Sequence, residues 1–298
     1  MARRGVRPAA MICALVTVLG VSGCNGAAPI GVPLPSGGDS DSAAVSADSG
    51  SSSASSPSAA ASAAKSSAAA GLQPAGMPGN WHLVFDDEFT GGSLDTARWS
   101  TGWLGDGITS DVSGTDCDDP NQVSVSDGSL ALALVARTET CGGVEQQYAT
   151  GAVNTEGKES FLYGAFEARI YLPTTSDGSY IANWPAWWAD GTNWPDDGEM
   201  DILEGLSGVA CYHLRYSATD SRGGCASGNF SGWHTYGADW ENGSVTYYFD
   251  GYKVGTESNA GLTPAHQFLV LNYEVHKGSK YTDVPATMRV DYVRVWQH

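Results

Sequence analysis

Residues 193 to 205 read NWPDDGEMDILEG, with Glu199, Asp201 and Glu204 threaded among the apolar Met200, Ile202 and Leu203. Charges interleaved with core-type residues are costly to bury, so the pattern asks for a chemical reason. In a strand, residues two apart share a face, which groups Glu199 with Asp201 and sends Glu204 to the opposite side. A single β-bulge between them restores the parity and turns all three acids one way. Three such carboxyls suit cleavage of a glycosidic bond with retention of configuration. One is ionised to attack the anomeric carbon, one is protonated to assist the leaving oxygen, and the middle one partitions protons. That chemistry needs no metal and no cofactor. A solvated acidic strand is the plainer alternative, and acids are common enough here, 33 of 298 residues, for the spacing to arise by chance.

The aromatic context favours chemistry. Trp184, Trp187, Trp188 and Trp194 fall within eleven residues, upstream of the acids. Tryptophan is more often core than ligand platform, but alternation sends Trp187 and Trp188 to opposite faces. At least one is therefore expected beside the acids, where an indole can stack on the apolar face of a sugar ring.

The elements that must position these residues read as strands. NQVSVSDGSLALALVA alternates and is interrupted by the turn signal Asp127-Gly128. In YGAFEARIYLP, Phe166, Ala168 and Ile170 share one face, with Glu167, Arg169 and Tyr171 on the other. GSVTYYFDGYKVG is a hairpin turning at Asp250-Gly251, and TMRVDYVRVW is a further strand. No stretch of ten residues shows a helical period. The reading is an all-β sandwich or jelly roll of two antiparallel sheets.

The first part of the chain has another character. MARRGVRP followed by AAMICALVTVLGV resembles a secretory signal, and VSGC places small residues before Cys24 as in a lipobox. Residues 1–24 are thus expected to be an export signal with Cys24 lipidated, anchoring the protein to a membrane without spanning it. Residues 25–77, rich in Ser, Ala, Gly and Pro, are expected to be a flexible tether, and 78–298 the catalytic domain. Four cysteines remain in that domain, Cys117, Cys141, Cys211 and Cys225. In an exported chain they imply two disulfides, and proximity favours 117–141 and 211–225 among three connectivities. A formal charge of −18 argues against nucleic-acid or anionic-membrane partners and fits a monomer acting on a neutral or cationic ligand.

WPAWWADGTNWPDDGEMDILEG resembles the signature of glycoside hydrolase family 16, laminarinase-type branch, with its E-x-D-x-x-E after a W-P-x-x-G-E lead. The likeness continues through WHLVFDDEFTGGSLDTARW, YGAFEARIYLP, GWHTYGADWENGSVTYYFDG and DYVRVWQ, about 215 residues in order. It implies a β-jelly-roll with a substrate cleft on its concave sheet and endo-acting, retaining cleavage of β-glucan. Residue by residue it implies Glu199 as nucleophile, Asp201 as assisting carboxylate and Glu204 as acid/base. Trp194, Trp188, His213 and Asn272 would contact substrate. Glu88, Asp291 and the backbone near Gly128 match a calcium site of the family on the convex side. Two segments depart from the pattern. VLNYEVHKGSK lacks the family's paired glycines and tryptophan, and CYHLRYSATDSRGGC reads as a disulfide-closed loop beside the cleft. The leading expectation is an endo-β-glucanase acting on 1,3- or mixed 1,3-1,4-glucan. The alternatives are a transglycosylase or β-galactan hydrolase on the same scaffold, or a non-catalytic carbohydrate-binding lipoprotein of the cell surface.

Overall fold

A computed structural model describes residues 72–102, 107–110, 115–217, 221–258 and 264–298. The export signal, Cys24 and the tether up to residue 71 lie outside them. The chain opens with β1 (His82–Asp87), then the short β2 (Ser100–Thr101), β3 (Thr109–Ser110) and β4 (Asp116–Asp118). A 3-10 turn over Pro120–Gln122, capped by the Asp119 carboxylate accepting from Asn121 N–H, leads into β5 (Val123–Ser126). β5 folds back onto β6 (Ser129–Cys141) at Asp127-Gly128, both with positive φ, which is the turn a right-twisted hairpin needs. Then come β7 (Val144–Thr150), β8 (Ala152–Asn154) and β9 (Gly164–Tyr171). The motif-bearing stretch forms β10 (Trp184–Gly191), β11 (Glu199–Glu204), β12 (Cys211–Arg215) and β13 (Ser221–Cys225). The chain closes with β14 (Trp233–Glu241), β15 (Ser244–Phe249), β16 (Tyr252–Ser258), β17 (Gln267–Glu274) and β18 (Ala286–Gln297).

These strands make two sheets. One has eleven strands, ordered β16-β15-β14-β9-β18-β6-β7-β4-β3, with β1 on β18 and β5 on β6; the other has seven, ordered β13-β12-β11-β10-β17-β8-β2. Pairing is antiparallel except between β4 and β7, which run parallel. The interior joins one face of each sheet. Phe166, Ala168 and Ile170 of β9 meet Met200, Ile202 and Leu203 of β11, Trp187 of β10 and Leu269, Leu271 and Tyr273 of β17, all buried. Burial on this scale supplies most of the driving force for folding.

Two expectations change. Glu167 falls on the outward face of β9 as its parity requires, yet it is buried. Its carboxylate accepts from Ala75 N–H at 2.7 Å and from the Tyr292 hydroxyl at 2.8 Å. The cause is residues 72–77, assigned to the tether by composition, which return over the eleven-stranded sheet. There Met77 packs with Trp81, Ala165, Tyr248 and Trp296, and the Trp296 indole N–H donates to Leu72 O at 2.9 Å. The folded domain therefore begins by residue 72. The segment 211–225, read as a loop, is instead the β12–β13 hairpin, and it forms one edge of the seven-stranded sheet.

Both expected disulfides are present, Cys117–Cys141 and Cys211–Cys225. The second joins residues directly opposite on β12 and β13 across a sequence separation of 14. Closing a loop of that length stabilises a fold by about 3 kcal/mol in the chain-entropy view. A Cys211→Ser/Cys225→Ser variant is expected to unfold at lower temperature by about that margin. It should also be destabilised at the edge of the seven-stranded sheet, which Cys117→Ser/Cys141→Ser leaves intact. Calorimetry of the two variants side by side checks this.

Candidate active site

β11 carries the row of acids, and its pairing shows how they share a face. Against β10, Trp188 lies opposite Asp201 and the preceding Trp187 lies opposite Leu203, so Ile202 is one residue too many. Against β12, Asp201 lies opposite His213 and Glu204 opposite Cys211, three steps on β11 for two on its neighbour. The surplus residue is a β-bulge, and both flanking strands register it. Ile202 and Leu203 consequently both enter the core with Met200, while Glu199, Asp201 and Glu204 turn to the outer face of the seven-stranded sheet. The strand is entered through a tight reversal at Gly198, φ 77°. Beside it, a Cβ on Gly191 would stand 2.1 Å from Asp197 Cβ, so only glycine fits there.

The three carboxylates converge on two side chains of β12. His213 Nδ1 is 2.8 Å from Glu204 Oε2 and 4.0 Å from Asp201 Oδ2. Arg215 Nε is 2.8 Å from Glu199 Oε1 and 3.1 Å from Asp201 Oδ2, and its Nη2 is 3.4 Å from Glu204 Oε1. The Tyr247 hydroxyl donates to His213 O at 2.8 Å and fixes the strand from beneath. Trp194 stands over the other end of the row, 40% exposed, with its indole N–H donating to Glu199 Oε2 at 2.6 Å. It pairs an open aromatic face with a direct contact to the expected nucleophile.

The protonation pattern follows from crowding. Burial, then the charge of Asp201, pushes Glu199 well above the ordinary carboxylate range, against the pull of Arg215 and Trp194. Burial and then Glu204 raise Asp201, which also hydrogen-bonds with Glu199. Burial acts on Glu204 in the same direction, but the His213 contact and the charges of His213 and Arg215 outweigh it and hold Glu204 low. His213 itself is raised; its desolvation is overcome by Glu204. These directions set Glu199 and Asp201 toward holding a proton and Glu204 toward its ionised form beside His213.

The other expected residues divide. Trp188 shares the face of the acids, but it is 4% exposed, packed with Ala186, Phe268 and Val270. Its N–H donates to Asn272 Oδ1 at 2.8 Å, and the Asn272 amide donates to Glu274 Oε1 at 2.7 Å. Trp188 and Asn272 form a buried floor rather than a stacking surface. The expected calcium residues are engaged otherwise. Both Nε and Nη2 of Arg294 contact the Glu88 carboxylate, and Arg169 holds Asp291 at 2.8 Å. Each carboxylate already faces a guanidinium, which does not fit a divalent cation.

Two residues of the site escaped the sequence reading. Arg215 is one; the H-x-R spacing on a strand beside the acids was its signal. Asp190 is the other. It lies directly opposite Glu199 on β10, is 4% exposed, and burial pushes its carboxyl up to about 8, assisted by Asp201 and Asp197.

Comparison with known proteins gives a consistent set. The sequence model of glycosyl hydrolases family 16 matches residues 114–294. The chain is similar to glucan endo-1,3-beta-glucosidase A1 of Niallia circulans, 29% identical over 268 residues, spanning 72% of this chain and 38% of that protein. It is similar to the keratan-sulfate endo-1,4-beta-galactosidase of Sphingobacterium multivorum, 28% identical, spanning 73% and 56% respectively. The chain thus spans little more than a third of the first relative and about half of the second. Among solved structures, the catalytic domain of an endo-1,3-beta-glucanase (laminarinase) from Thermotoga petrophila RKU-1 matches with a TM-score of 0.63 at 25% identity, covering 73% of this chain and 98% of that one.

Asp190 gives a measurable consequence. With its carboxyl raised to about 8, the folded protein holds a proton that the unfolded chain has released above the ordinary carboxylate range. Stability from this group is complete at low pH and is lost as pH rises through about 8. Melting temperatures recorded from about pH 5 to pH 9 are expected to fall less steeply for Asp190→Asn than for the wild type. Parallel curves would refute the assignment.

Proposed function

The chain belongs to glycosyl hydrolases family 16, and from that premise we propose a retaining, endo-acting β-glycoside hydrolase that cleaves 1,3- or mixed 1,3-1,4-β-glucan. The observation that carries the reading is the β11 bulge, which turns Glu199, Asp201 and Glu204 onto one face within reach of His213 and Arg215. A lectin has no need of such a row. In this reading the Glu199 carboxylate attacks the anomeric carbon while Glu204 protonates the departing oxygen, and water then reverses the exchange. Trp194 offers the sugar an apolar face and orients the nucleophile through its N–H.

The reactive protonation state lies two short transfers from the one that these directions favour. The proton shared by Glu199 and Asp201 settles on Asp201 and leaves Glu199 ionised. The proton of the His213–Glu204 pair moves onto Glu204. Neither transfer draws a proton from solvent, so the site already holds what the first step consumes. His213 in this account stores the acid's proton, and Asp201 the nucleophile's.

The loop that follows β17 selects the sugar. It carries His276, whose ring meets Trp184 edge-on at 5.0 Å, and Lys280 over the ring of Tyr180. This segment departs from the laminarinase pattern, and a relative acts on a β-galactoside by its name, so galactan is the second reading. Export and anchoring at Cys24, with the following residues as tether, are supported by the arginine-rich start, the small residues before Cys24 and the two disulfides. Calcium at Glu88 and Asp291 has no part in the proposal, given the arginines those residues hold.

Incubation with laminarin, lichenan, agarose and carrageenan is expected to give oligosaccharides from the two glucans, with the β-configuration retained by NMR. Silence on both glucans would sink the substrate assignment, and inversion would sink the mechanism. Glu199→Gln should abolish turnover in a folded protein. Glu204→Ala should lose about 10²–10⁴-fold and recover part of it with azide, which needs no protonation. A chelator should leave the rates unchanged.

A further inference from the structure

We propose that Arg215 is the shared counterion of the reacting carboxylates, a positioning residue that stays paired with Glu199 and Glu204 in turn as negative charge passes between them. The proposal rests on the retaining reading above.

The geometry is specific. β12 sets Arg215 directly opposite Glu199, and the guanidinium fork touches all three acids at 2.8, 3.1 and 3.4 Å. His213 reaches Glu204 and Asp201 but makes no ion pair with Glu199. Among the described residues, Arg215 is the only cation in contact with the nucleophile. Other groups face it as well. Asp190 comes from β10, Tyr247 from β15 beneath His213, and Tyr216 follows β12 with Arg222 of β13 over its ring at 4.7 Å. None of these is a second cation for Glu199.

The reaction gives such a cation a task. In the first step a Glu199 oxygen bonds to the anomeric carbon, the bond to the leaving oxygen breaks, and that oxygen takes the proton of Glu204. Glu199 gives up its negative charge into an ester while Glu204 acquires one. In the second step water passes a proton to Glu204, its oxygen bonds to the anomeric carbon, and the ester bond to Glu199 breaks. Negative charge therefore crosses the row twice in each turnover. A guanidinium keeps its proton throughout, and its planar fork faces two carboxylates at once in a fixed geometry that a point-like ammonium does not impose. Held between the two acceptors, it leaves neither charged state buried without a partner, the condition that is costly. Burial works against Arg215, but the three surrounding acids more than offset it and keep it charged.

The test is the pH dependence of kcat/KM, because a merely structural arginine would lower activity without moving the limbs. Loss of the cation makes both ionisations harder, so Arg215→Met is expected to shift the acid and alkaline limbs together to higher pH, by about one unit each. Its kcat at the optimum should drop about a hundredfold. Arg215→Lys keeps the charge and loses the fixed fork, so its limbs should stay in place while kcat falls about tenfold. Limbs unmoved in a folded Arg215→Met would overturn the role. Should that variant fail to fold, Arg215→Lys decides alone, and wild-type rates in it would overturn the role equally. A wild type inactive on every glycan removes the retaining reading and this one with it. An active wild type with unshifted variants removes only this one.

Discussion

The site depends on one surplus residue in one strand. With regular alternation β11 would drive Glu204 into the interior beside Leu203 and Met200, where an unpaired carboxylate costs several kcal/mol. The bulge avoids this by sending Ile202 and Leu203 both inward. What holds it is packing. β11 is an internal strand, and β10 and β12 each absorb the register shift at the same place. Two large aliphatic side chains are seated in the core on one side, and two residues of β12 meet the acids on the other. Sliding the strand by one residue would unseat both sets together, so the core enforces the geometry of the chemistry.

Gathering acids carries an electrostatic cost that shapes everything around them. Four carboxyls, Glu199, Asp201, Glu204 and Asp190, lie on adjacent strands with two cations among them. The structure answers with partners where it can, through His213 and Arg215, and with protons where it cannot. Burial raises the Asp190 carboxyl to about 8, which spares Glu199 most of a third negative neighbour at neutral pH. Burial raises carboxyls elsewhere too, Glu167 and Asp239 among them. Of these, Glu167 has a backbone amide and a tyrosine hydroxyl as donors.

Much of this was legible because alternation reports which way a side chain faces. It placed Phe166, Ala168 and Ile170 inside, located the Asp127-Gly128 and Asp250-Gly251 turns, and separated Trp187 from Trp188. The bulge followed from chemistry, since propensity gives no sign of it; only the demand that three acids meet calls for an extra residue. What alternation does not report is what lies over a face. Glu167 and Trp188 point outward as their parity demands and are covered all the same, one by residues 72–77 and the other by Phe268 and its neighbours. Arg215 was passed over because the cysteines on either side made its strand look like a loop. The same disulfide in fact ties two strands at the sheet edge, one of which carries Arg215 at its far end.

The directions in which the carboxyls are shifted oppose the roles proposed for them, and that opposition has a physical sense. An enzyme gains rate from interactions that strengthen at the transition state, and ones already satisfied in the empty site add nothing. Positive charge growing on the sugar beside Glu199 favours its ionised form, and negative charge growing on the leaving oxygen draws the proton from His213 through Glu204. Each shift is downhill only while the substrate is reacting. The 2.8 Å contact of His213 with Glu204 and the hydrogen bond between Glu199 and Asp201 are each short enough for a proton to shift without backbone movement, while Arg215 holds Glu199 in place.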